Sequence, residues 1–156
     1  MSGSSGAASL REDRARLARF GAPLLGLLGV EFLLGMTLDQ FVSLPTGSPA
    51  SILAASPLLD VHLVVGVLLL GFAGNILRVS IRLRERLAVA IAAVGLLSAV
   101  LAVGAGFAFA FGGQAAIDSF VMSVGFLGMV VEAGYLLRRA GPAPTRPMIA
   151  STSGRA

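Results

Sequence analysis

The chain has 156 residues, of which 56% are hydrophobic and 13% charged, and it carries a formal net charge of +4. That charge content is about half of a soluble domain's, too little to cover a soluble core. Composition therefore excludes an ordinary cytosolic enzyme, a disordered chain and a nucleic-acid domain, and it points to a membrane protein.

The first segment, residues 1–19, reads as a basic cytoplasmic arm. Met1–Gly6 is a Ser/Gly run and is set aside from fold reasoning. Leu10–Arg19 holds Arg11, Arg14, Arg16 and Arg19 with Glu12 and Asp13. Two readings stand, a short amphipathic helix on the membrane surface and a solvated juxtamembrane arm.

Four apolar stretches follow, at about residues 20–41, 58–79, 87–111 and 117–137. About 20 helical residues cross a hydrocarbon core of roughly 30 Å, so each is long enough to span. None alternates with period two, which argues against a β-barrel. The first stretch is too long for a signal-peptide core and reads as a retained helix. The loop after it contains Pro45, Pro49 and Pro57, and Ala50–Ala55 is expected to form one or two turns lying flat on the membrane. Residues 138–156 form a tail expected to be cytoplasmic and disordered. No internal repeat is visible.

Arginine supplies all twelve basic residues. Arg11, Arg14, Arg16 and Arg19 precede the first span. Arg78, Arg82, Arg84 and Arg86 surround the turn between the second and third. Arg138, Arg139, Arg146 and Arg155 follow the fourth. The other two loops hold none. The positive-inside rule then places both termini in the cytoplasm. The expected fold class is an all-α membrane protein of four antiparallel transmembrane helices, multi-pass in the cell membrane, with residues 20–137 as the bundle. The arginines read as topology signals and lipid contacts, not as a nucleic-acid surface.

Two helix faces stand out. The third span carries Ser98, Ala102, Gly106 and Ala110 at four-residue spacing, a small-residue stripe that suits a close helix seam or, less simply, a groove for an apolar molecule. The fourth carries Asp118, Met122, Gly125, Met129 and Glu132 at 4-3-4-3 spacing, which turns both acids toward the bundle.

The polar residues within the spans are the ones able to carry chemistry. Glu31 lies near the middle of the first span with no arginine at its depth, so it is expected to be protonated or hydrogen-bonded inside the bundle. Glu132 lies near the inner end of the fourth, where Arg138 or Arg139 is an obvious partner. Asp39, Asp60 and Asp118 mark the outer ends of three spans, with His62, Gln40 and Gln114 at a similar level. Asp60 and Asp118 suit helix starts as caps or dipole partners. Taken as a set, Glu31, Asp39, Asp60, Asp118 and Glu132 are the candidates for holding a proton or ion. His62 with Met36 and Met122 is the candidate cofactor set, because histidine and methionine can ligate haem or copper. No metal site is otherwise expected. Cysteine is absent and His62 is the sole histidine. This excludes disulfides, thiol catalysis, iron–sulfur ligation, a tri-histidine zinc site and a bis-histidine haem within one chain.

The runs Gly35–Pro45 and Leu58–Gly66, with Ser119–Met122 and Tyr135, resemble small four-helix prokaryotic integral membrane proteins of no assigned activity. The likeness covers residues 24–137. In that group a histidine opens the second helix with a glycine four residues on, as His62 and Gly66 do here. Asp39-Gln40 stands where the group more often has Asn. A more distant likeness joins His62 and Gly66 to half of a haem A synthase or of a di-haem cytochrome b bundle. This implies haem, but the second axial histidine has no counterpart.

The expected function is that of an accessory or scaffold subunit packed against lipid and other membrane helices, or against further copies of itself. No catalytic residue, nucleic-acid partner or cofactor is expected. The alternatives are a haem-type redox protein using His62 and a proton or ion conductor using Glu31. The topology has a direct test. Of cysteines placed at Ser48 and Ala143, only the first should react with an impermeant reagent in intact cells. Labelling at position 143 would overturn the orientation.

Overall fold

The computed structural model describes Glu12, residues 15–43, Pro45 and residues 48–140. Expectations for residues 1–11 and for the tail from 141 onward lie outside the described residues. The elements are α1 (Gly21–Phe41), α2 (Pro49–Leu53), α3 (Pro57–Leu83), α4 (Arg86–Gly112) and α5 (Ala116–Ala140). The described chain is all-helical, and α1, α3, α4 and α5 are each long and apolar enough to cross a membrane. Helix is the conformation such sequences need in hydrocarbon, because every backbone N–H and C=O then pairs within its own segment.

The helix ends follow local chemistry. Ser48 and Ser56 cap α2 and α3 by accepting from the backbone N–H groups of Ser51 and Leu58, and Pro49 and Pro57 follow each cap. Asp60 is therefore not the cap of α3. It stands in the first turn, where the helix dipole favours an acid, and Asp118 holds the same place in α5. The α3 helix runs past the expected end at Val79 to Leu83. Hydropathy marks where the chain is apolar, whereas the helix ends where its hydrogen bonds stop. Here Arg84 adopts left-handed geometry (φ 54°) and its N–H bonds Ile81. Only Arg84 and Glu85 separate α3 from α4.

The first helix extends back to Ala15. Leu17 is 1% exposed and belongs to the core. Leu17 thus joins the arm to the bundle core, while Arg16 and Arg19 remain exposed. Arg16 pairs with Glu12 one turn back at 3.5 Å.

Among the described residues α1 packs beside α3 and α5, and α4 packs beside the same two, while the diagonal pairs do not meet. The four spans form a ring. Close approach is concentrated between α4 and α5, where small residues lie opposite each other. A Cβ on Gly125 would sit 2.6 Å from the Ser98 carbonyl oxygen and 3.1 Å from the Ala102 nitrogen, and one on Gly128 would overlap the Ser98 side chain. The seam expected along Ser98 and Ala102 is present. Farther along the stripe, Gly106 and Ala110 face a cavity instead.

The two ends of the ring are filled differently. Toward the arginine-bearing end, Leu17, Leu24, Ile76, Ala88, Ala92, Ala133 and Leu136 form a continuous core. Toward the other end only a small cluster closes the structure, in which Ile52 of α2 sits on Leu38 and Leu59. The short helix expected at 50–55 is therefore docked across the ends of α1 and α3 by a buried isoleucine.

Gly125→Ala forces a methyl group into backbone and should cost about 1–3 kcal/mol, read as a lower melting temperature in detergent. Leu101→Phe, at an exposed position, should leave it nearly unchanged. Equal melting temperatures for the two variants would contradict the seam.

Candidate functional site

Between the filled core and the α2 cluster the four spans line a partly open cavity of about 490 Å³. All four spans contribute to its wall. The lining is apolar over most of its surface: Phe32 and Met36 from α1, Leu63 and Gly66 from α3, Val103 and Phe107 from α4, Met122 and Phe126 from α5. Phe32 and Phe126 meet across the α1–α5 gap with ring centroids 5.6 Å apart. Volume and lining both lie within the range of small-molecule sites, which run from about 300 to 1,000 Å³ and are apolar with a few polar groups.

Glu31 and His62 supply the central polar groups of the wall. His62 Nδ1 lies 3.1 Å from Glu31 Oε1. The two are close enough to act as a charge pair but are not aligned as a hydrogen bond, and Glu31 Oε2 is buried without a partner. Two glycines make the approach geometrically feasible. A Cβ on Gly66 would sit 3.2 Å from Glu31 Oε1, and one on Gly35 would sit 3.4 Å from His62 Cε1. Each helix thus carries one polar residue and, four positions on, a glycine that faces the polar residue of its neighbour. The partner of His62 is Glu31, not the acids at the outer ends of α1 and α5.

The other expected residues divide clearly. Met36 and Met122 line the same cavity as His62, so the whole candidate cofactor set shares one wall. Asp39 lies at the exposed rim and accepts a hydrogen bond from Gln40 Nε2 at 3.1 Å. Asp60 is exposed and, like Asp118 and Glu132, is not part of this cavity. Among the described residues no group of three His, Asp or Glu side chains is placed to hold a metal ion.

Glu132 corrects an expectation. It does not reach Arg138 or Arg139. Its side chain is 1% exposed, and neither carboxyl oxygen has a hydrogen-bond partner. It is directed at Gly95 of α4, where any Cβ would overlap the carboxyl group. Arg139 instead pairs with Glu85 at the α3–α4 turn and lies over the Tyr135 ring. The physical reason is distance along the helix: Arg139 shares the face of Glu132, Met129 and Leu136 but lies seven residues, about 10.5 Å, farther along the axis, where the loop acid Glu85 is within reach. The candidate proton or ion residues are therefore not gathered in one place: Glu31 and Asp39 line the cavity, and Glu132 lies in the α4–α5 seam.

Sequence reasoning missed the aromatic walls Phe32, Phe107 and Phe126 and the two glycine seats. The spacing Glu31–Gly35 and His62–Gly66 was a usable signal, since two such pairs dock when each glycine receives the other helix's polar group. No family model matches the chain, and no curated protein or solved structure matches it significantly. The functional reading therefore rests on the geometry.

His62→Ala should cost about 1 kcal/mol, for the loss of a close charge neighbour of Glu31 in an apolar wall. Adding Glu31→Gln should restore part of that loss, giving a non-additive double-mutant cycle. Strict additivity in thermal unfolding would mean that the two side chains do not interact.

Proposed function

We propose that this chain is a multi-pass protein of a prokaryotic cell membrane that binds a small, largely apolar molecule within its outer half. The observation that carries the reading is the cavity of about 490 Å³ with Glu31 and His62 side by side in its apolar wall. A bundle needed only for packing gains from filling such a space, since each void forfeits contacts between its walls.

The four spans run antiparallel in this reading, with both termini cytoplasmic. The pairings Gly21 with Leu137, Gly35 with His62, Gly66 with Glu31 and Gly106 with Met122 support that order. The contact of Arg139 with Glu85 supports a common side for the α3–α4 turn and the end of α5, and the arginine distribution supports the cytoplasm as that side. An accessory role beside other membrane helices is compatible with it. Such helices would pack on outward residues such as Leu33, Leu127 and Val131, which are otherwise covered by lipid.

A second reading has one specific observation in its favour. His62 and both methionines line one cavity, and a carboxylate beside Nδ1 is the usual outer partner of an imidazole that ligates through its other nitrogen. That arrangement suits a haem-type group. Its test is combined with that of the first reading by recording native mass and visible spectrum on the same detergent-purified sample. Binding of a small molecule should show as added mass that is lost in Val103→Trp, which fills the cavity. A Soret band that disappears in His62→Ala would establish the redox reading in its place. Unliganded mass under all mild conditions, with no stabilisation by any apolar additive, would refute both.

A further inference from the structure

Resting on the reading of the cavity as a binding site, we propose that its occupant is a lipophilic organic cation. The chemistry of the wall carries this. Its titratable groups are Glu31, Asp39 and His62, and no arginine lines it. The wall therefore holds two carboxyl groups and one imidazole, with no fixed positive charge among its lining residues. Glu31 uses one oxygen against His62 and leaves the other buried without a partner. An apolar wall disfavours the charged form of such a carboxyl group unless a positive group sits beside it, and a bound cation would supply that group.

The same wall disfavours the main alternatives. Anionic amphiphiles such as fatty acids or phospholipid headgroups would meet two acids and no basic residue. Inorganic cations need several oxygen or nitrogen ligands, and among the described residues no three-residue metal-ligand group exists. An organic cation needs only one counter-charge and an apolar surround. Phe32, Phe107 and Phe126 supply ring surfaces that attract a delocalised positive charge. Asp39 at the exposed rim gives an approaching cation a first electrostatic contact.

The test is equilibrium dialysis of tetraphenylphosphonium against the purified bundle, with matched detergent on both sides. Triphenylphosphine oxide serves as an uncharged comparator of similar shape. The cation should bind more tightly than the oxide, and Glu31→Gln should weaken cation binding by about tenfold or more while leaving the oxide unchanged. Retained oxide binding also reports that the variant is folded. Should Glu31→Gln not fold, Asp39→Asn at the rim should still lower the preference for the cation, and an unchanged preference there would count against the proposal. Equal binding of both probes to the unaltered protein would overturn the cation class while leaving the cavity reading intact. Absence of binding by either probe would overturn the cavity reading and the cation with it.

Discussion

A carboxyl group inside an apolar bundle has little to solvate it, and the half of this structure away from the arginines places Glu31 against a single imidazole. Glu31 is placed against His62 at 3.1 Å. The approach depends on Gly35 and Gly66, whose missing side chains leave room for the two polar groups. A Cβ at Gly66 would press on Glu31 Oε1 at 3.2 Å, whereas one at Gly35 would make an ordinary contact with His62 at 3.4 Å. Both glycines also line the cavity beside the pair.

The bundle divides into a filled half and an open half. At the arginine-bearing end, leucines of α1 and alanines of α4 and α5 interlock, and the helices approach to backbone contact. That half can hold the ring together through dispersion and close packing, which drive association where lipid removes the hydrophobic difference. The other half is closed chiefly by Ile52 resting on Leu38 and Leu59.

Glu132 illustrates a different solution to the same problem. It is sealed in the α4–α5 seam against Gly95, away from the cavity and away from the arginines. The pair Arg139–Glu85 takes up the charge that was its most obvious partner and ties the end of α5 to the α3–α4 turn. Two acids within the spans thus have separate surroundings: Glu31 shares a cavity with an imidazole, and Glu132 is buried against Gly95 in the α4–α5 seam.

The sequence by itself determined the number of spans, their helical conformation and the inward face of α5. These follow from local rules: length of apolar runs, pairing of backbone groups within a helix, and residue spacing around a turn of 3.6. It also marked Glu31, His62, Met36 and Met122 as notable. Only the tertiary structure decided which of them meet. Whether His62 faces Glu31 or an outer aspartate depends on the axial offset of α1 against α3, and spacing within one helix carries no information about offset between two. The stripe on α4 became a seam at Ser98 and Ala102 and a cavity wall at Gly106 and Ala110 for the same reason. A small residue permits close approach, but the residue opposite decides whether the space is filled.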